Sequence, residues 1–295
     1  MKYRAKRLTS LGLGAVLTGG LLTACEPAED AAEPSEEQTA AFQPDDATQT
    51  QASDPAAAVQ AGEANEGGEG EGGEGGEGEG GVAIASASED PVVFNSALAI
   101  TAAHVIAARD AHAAGRVDEA AGMFAHPVSE VLADIRPVFE ERGVQSFDDM
   151  LIDASSAVLD GADAAQIAER SEAILAALDE AAARAPQDGS SDAAIAAGVA
   201  ADQIERASDM YRMASRSSAY EPYLDGYGFY KAAERAFAPQ AEAIEAENPE
   251  GAARIREALE LLAQAYPEPV RPEGLDIEQA ELNARSTQAH LAVRF

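Results

Sequence analysis

An all-α body over residues 91–295 is predicted by three features of the sequence. Alanine and other strong helix formers dominate the stretch, which holds no Trp and few β-branched runs. Apolar side chains recur at the roughly 3.6-residue spacing of helices that bury one face. No alternating strand pattern of useful length occurs, and no glycine-rich phosphate loop follows a strand. The stretch spans 205 residues, enough for a sizeable core. Short helices joined by short connections make an irregular helical bundle or array of about eight to ten helices.

Each element follows from local signals. A first helix is expected over 96–114, with Leu98, Thr101, Ala102, Val105 and Ala108 on its apolar stripe and Gly115 as its stop. A short helix over 116–125 leads to His126-Pro127. Residues 128–141 form the next helix, with Pro137 as a kink or restart point and Gly143 as a stop. Ser146 caps a helix over 147–159, and Asp149 in its first turn complements the helix dipole. Residues 163–185 put Ile167, Ser171, Ile174, Leu175 and Leu178 on one face. Residues 191–218 follow, with Ile195, Val199, Met210 and Met213 expected inward. Pro222 suits the first turn of a helix running to Phe237. Pro239 and Pro249 open two more, the second carrying Ile255, Leu259 and Leu262. Pro267, Pro269 and Pro272 stiffen an extended connector. Asp276 then caps a last helix.

The chain ahead of this body has a different composition. Lys2, Arg4, Lys6 and Arg7 precede an uncharged run over 8–24 that ends Leu22-Thr23-Ala24-Cys25. A basic start, a short apolar stretch and small residues before a cut form a secretory signal peptide over 1–24. The run is 17 residues long and contains four glycines, short for a membrane-spanning helix, which needs about 20 apolar residues. Leu22-Thr23-Ala24-Cys25 resembles the lipobox of bacterial lipoproteins, and Cys25 is the only cysteine in the chain. That resemblance implies cleavage before Cys25, a lipid on its sulfur and acylation of the new amino terminus. A lipidated Cys25 leaves the mature chain no thiol for a disulfide, a redox step or a metal. Glu26 follows in place of the aspartate that often retains Gram-negative lipoproteins at the inner membrane. By the same resemblance, the expected location is the outer membrane, facing the periplasm.

Residues 26–90 carry 18 acidic side chains and no Lys or Arg, and 66–81 consist only of glycine and glutamate. Such a segment buries too little apolar surface to offset the entropy of ordering, so 25–90 is expected to be a lipidated cysteine followed by a disordered linker. Its r.m.s. span would be about 45 Å if glycine-like. The mature chain would carry 16 Lys+Arg against 53 Asp+Glu, a net charge of −37. Nucleic acid and anionic headgroups repel such a chain, so attachment to a membrane falls to the lipid, and an envelope protein or a cation is the expected partner.

Two clusters in the body could carry chemistry. His126 and Glu130 stand one helical turn apart, the spacing by which a helix offers two metal ligands, and His104 lies where an antiparallel neighbour could bring it near. Together they are candidate ligands for iron or zinc. The plainer reading has His126 as a cap, Glu130 solvated and His104 at a packing seam. Tyr220, Tyr223, Tyr227 and Tyr230 form the second cluster; three of them follow i, i+4, i+7, and Gly226 and Gly228 leave room for another backbone or a ligand. They are candidate pocket residues, or amphipathic edges of the core with their hydroxyls at the surface. Glu221, Asp225 and Glu234 lie on or beside this stripe.

The stretch Glu221-Pro-Tyr-Leu-Asp-Gly-Tyr-Gly-Phe, in an exported helical domain with sparse His and Glu, resembles imelysin-type periplasmic iron-uptake bundles. Their Gly-x-His-x-x-Glu motif is absent: the sequence around His104 reads Ala102-Ala-His-Val-Ile-Ala. No site residue is therefore carried over from that family. Residues 114–124 resemble the turn of a tetratricopeptide repeat, but no second copy stands at a fixed period, so a solenoid is not predicted. No Gly-x-Ser-x-Gly turn and no His-Glu-x-x-His motif is present, so no catalytic residue is assigned. The expected function is that of a non-enzymatic, lipid-anchored envelope lipoprotein whose helical domain binds a ligand or a protein. The alternative is a periplasmic, iron-related metal-binding protein using a His/Glu/Tyr site.

Overall fold

A computed structural model describes residues 84–293. The signal peptide, Cys25 and the acidic linker up to residue 83 lie outside the described residues. Among those described, every regular element is helical. After the single turn α1 (Ile84–Ala87) come α2 (Pro91–Ala113), α3 (Val117–Pro127), a π-helical segment (Val128–Leu132) and α4 (Ala133–Glu141). They are followed by α5 (Asp148–Leu159), α6 (Ala164–Ala182), α7 (Asp192–Arg216) and α8 (Glu221–Phe237). A 3-10 turn (Ala238–Gln240), α9 (Ala241–Glu247), α10 (Pro249–Ala265) and α11 (Gln279–Val293) complete the order.

Helix α2 is the axis of the body. It packs against α3, α6, α7 and α8, while α7 also carries α10 and α11, and α5 lies on α3. Because neighbours surround it, α2 is apolar around most of its circumference, with Phe94, Ile100, Val105 and Ala108 all buried. It is long and apolar enough to cross a membrane, yet 78% of its apolar window is buried inside the body. A core helix meets that length and composition test as readily as a membrane span.

The sequence places α2 five residues too late. Asp90 caps it by accepting the Val92 and Val93 N–H groups at 2.8 and 3.2 Å, and Pro91 fills the first turn, where its missing N–H costs nothing. Asp163 and Gln166 form a reciprocal capping box on α6, and the Ser191 side chain caps α7 by accepting the Ala194 N–H. The last helix begins at Gln279 rather than beside Asp276. Met213, expected inward, is 48% exposed.

The larger departure is at Pro127. It does not open a new helix; it is the last residue of α3, and the chain continues helically through the π segment into α4. Proline has no N–H for the carbonyl four residues back, and its ring crowds that carbonyl, so the next turn widens instead of stopping. Packing of α3 on α2 and α5 holds the path helical across the defect.

Two glycines set how closely α8 approaches its neighbours. A Cβ at Gly228 would lie 2.5 Å from the Ala103 carbonyl oxygen of α2, so only glycine permits this crossing. A Cβ at Gly226 would collide with the Tyr266 hydroxyl, which donates to the Ala207 carbonyl at 2.7 Å. The room these glycines leave is thus filled by an α2 backbone and a core tyrosine.

Candidate metal centre

Where α8 crosses α2, five polar side chains converge from three stretches of chain. His104 comes from the middle of α2, His126 from the end of α3 and Glu130 from the π segment. Glu221 and Asp225 come from the first two turns of α8. His104 Nε2 is 3.6 Å from Glu130 Oε2 and 3.7 Å from Asp225 Oδ1. His126 Nδ1 is 3.9 Å from Glu130 Oε1, and its Nε2 is 3.6 Å from Glu221 Oε1. Ligand atoms of His104, His126 and Asp225 lie within 4.8 Å of one another.

These separations are too long for direct hydrogen bonds. They match the edge of a coordination polyhedron: atoms held at about 2.0–2.2 Å from a tetrahedral ion stand about 3.4 Å apart. Side-chain exposure rises from 5% at His104 through 16% at Asp225, 26% at His126 and 30% at Glu130 to 61% at Glu221. The centre is therefore walled off at His104 and opens to solvent at Glu221.

The His104 ring is oriented by its own helix. Its Nδ1 lies 2.8 Å from the Ile100 carbonyl one turn earlier. A carbonyl only accepts, so Nδ1 carries the proton and Nε2 presents a lone pair to the cluster. Phe229 packs edge-on against the ring at 5.9 Å and His126 at 6.0 Å, fixing its plane. Burial pushes the imidazole below its ordinary pKa; the Ile100 carbonyl and Glu130 oppose this, and His126 and Arg206 reinforce it.

Asp225 is the reverse case. Its Oδ1 is buried and has no hydrogen-bond partner. Burial, with the like charges of Glu221 and Glu130, raises its pKa to about 7, against the pull of His126. The Asp225 carboxyl thus places a desolvated oxygen 3.7 Å from the His104 imidazole, with a ligand atom of His126 within 4.8 Å of the pair. The full donor set is two imidazole nitrogens and two or three carboxylates with no thiolate, which suits zinc or ferrous iron.

The structure brings His104, His126 and Glu130 together, as their spacing allowed. It adds Asp225 and Glu221, which the sequence shows only as neighbours of the tyrosine stripe. The four tyrosines do not join the centre through their hydroxyls. Tyr220 and Tyr223 donate to the Pro269 and Glu268 carbonyls at 2.6 and 2.9 Å, tying the proline-rich connector to α8. Tyr227 donates to Asp110 at 2.8 Å and Tyr230 to Glu234 at 2.9 Å. Burial raises the pKa of all four, so they remain neutral donors. They serve as core edges with anchored hydroxyls. No protein-family model, curated protein or solved structure matches the chain.

Proposed function

We propose that the helical body binds one divalent transition-metal ion of the zinc or ferrous-iron class at His104, His126 and Asp225, with Glu130 completing the set. Glu221 stands at the mouth as an exchangeable oxygen donor. The observation that carries this reading is the buried, unpartnered Asp225 Oδ1, 3.7 Å from an imidazole nitrogen whose tautomer leaves its lone pair free. The role is binding rather than catalysis. With the lipobox-like Leu22-Thr23-Ala24-Cys25 and the acidic linker, it makes the protein a lipid-anchored envelope lipoprotein that holds a metal ion near a membrane.

Calorimetric titration of the full chain with Zn²⁺, and anaerobically with Fe²⁺, tests the proposal. One saturable site is expected, weakened by more than about tenfold in His104→Ala and His126→Ala, since even outer-shell partners of a metal are commonly worth that much. Weak binding by the linker glutamates would persist in both variants. Wild-type binding no tighter than that of the two variants would remove the proposal.

A further inference from the structure

A second cleft lies on the other side of α2. Asn95, Leu98, Ala102, Ile106 and Arg109 form one stripe of that helix at spacings of three and four, and His104 stands roughly half a turn away from it. The cleft has two adjoining compartments between α2, α6, α7 and α8, of about 350 and about 360 Å³. Asp179 and Arg235 line both, so they form the boundary between them. Each compartment is within the size range of small-molecule sites, about 300–1,000 Å³.

The two halves differ in chemistry. The first is floored by Leu98, Ala102, Leu178, Val199 and Ala232, with small alanines where larger side chains would fill the space. The second gathers Arg109, Lys231 and Arg235, three of the 20 Lys+Arg of a chain with net charge −33. The cations are 29%, 32% and 36% exposed, so their stems are packed while their heads reach solvent. Carboxylates already stand against all three: Asp110 is 2.9 Å from Arg109 Nε and Glu234 is 2.8 Å from Lys231 Nζ. Asp179 places both oxygens 2.7 Å from Arg235 Nη2, and Glu172 lies 3.5 Å from Arg109 Nη1. Asp179 and Glu172 are 62% and 72% exposed, so either can swing into water. Among the described residues, every hydrogen bond of Arg235 runs through Nη2, leaving Nε and Nη1 for another acceptor.

We infer that this cleft binds an amphiphile with one anionic head group. The head group sits on the Nε and Nη1 of Arg235, displacing Asp179, with the ion-paired Lys231 and Arg109 beside it, and the hydrocarbon tail lies in the compartment floored by Leu98, Leu178 and Val199. The inference is independent of the metal centre, with which the cleft shares no residue.

Calorimetric titration of the full chain with dodecanoate below its micellar concentration tests this. Saturable 1:1 binding is expected, and dodecyl phosphate binds the same site. Acetate, which lacks the tail, and dodecan-1-ol, which lacks the charge, each bind at least about tenfold more weakly, a difference of about 1.4 kcal/mol. Arg235→Gln weakens binding by at least a similar factor, and Ala196→Phe abolishes it, because Ala196 also lines the apolar half and a ring there fills it. Asp179→Asn tightens it, because the internal competitor for Arg235 is gone. That variant alters an exposed side chain and stays informative even if Ala196→Phe impairs folding. Absence of saturable binding would overturn the inference. So would equal binding of dodecan-1-ol, or Asp179→Asn weakening binding or leaving it unchanged.

Discussion

Asp225 shows how a single side chain can oppose stability and serve binding. Its carboxyl is held up near pKa 7 by burial, against an unfolded value of about 3.9. The folded apo protein therefore keeps a proton that the unfolded chain loses, and Asp225 makes folding less favourable as pH rises through that window. His104 acts in the opposite sense. Its folded pKa is lowered, so its contribution is lost as pH falls below about 6.5, where the unfolded imidazole charges. Glu130, Asp225 and Glu221 face these imidazoles from the π segment and α8, and Arg206 faces His104 from α7. Asp225→Asn is predicted to stabilise the metal-free protein at pH 8 by about 1–3 kcal/mol, the scale of one poorly compensated buried polar group. It should also weaken metal binding by more than about tenfold. Urea denaturation with and without Zn²⁺ reads both effects, which have opposite signs. At this scale the sequence was partly legible. His104, His126 and Glu130 carry residue types and spacings that mark ligands. Asp225 carries no such mark, because only the α2–α8 crossing at Gly228 brings its carboxylate to His104.

The element that sets the centre's geometry is the π segment after Pro127. In a regular α-helix His126 and Glu130 would share a face by their spacing alone. Here the widened turn aims the two Glu130 oxygens at different imidazoles, 3.6 Å from His104 and 3.9 Å from His126. Wide turns of this kind occur preferentially at functional sites. Pro127→Ala restores the missing N–H and permits a regular turn, which rotates Glu130 relative to His104. The predicted outcome is unchanged helical circular dichroism with metal affinity reduced by roughly tenfold, within the range of losses from disturbed ligand support. Proline punctuation misleads a linear reading here. Pro91, Pro222 and Pro249 lie in the first turns of their helices, where proline is at home. Pro127 looks the same in sequence but sits in a helix already committed by the packing of α3. Of the two caps read from the sequence, Ser146 Oγ accepts the Asp148 N–H at 3.2 Å at the start of α5, whereas α11 begins at Gln279 rather than beside Asp276. The tyrosine contacts were not legible, because their acceptors at Asp110, Glu268 and Pro269 are distant in sequence.

For the helical body, the all-α class of the described residues follows from alanine content and apolar periodicity, while the central place of α2 shows only in its packing. Its packing partners do not follow, since the stripe of Leu98, Thr101, Ala102, Val105 and Ala108 is only one face of a helix that is buried on most sides. The proposed arrangement is a lipid at Cys25, a long acidic tether and a helical body that receives a cation. Cys25→Ser is predicted to leave the protein unlipidated and to release it from the membrane fraction. Intact mass of the wild type should exceed that of the cleaved peptide chain by a diacylglyceryl group and an acyl chain. The tether complicates any assay of metal binding, because its glutamates also attract divalent ions. The ligand shell resolves that ambiguity most directly. X-ray absorption on the full chain loaded with one equivalent of Zn²⁺ should show two imidazoles and a carboxylate oxygen shell at about 2.0–2.2 Å, with no sulfur. A shell of oxygen alone, without the scattering signature of imidazole, would put the ion on loose carboxylates and contradict the assignment of His104, His126 and Asp225.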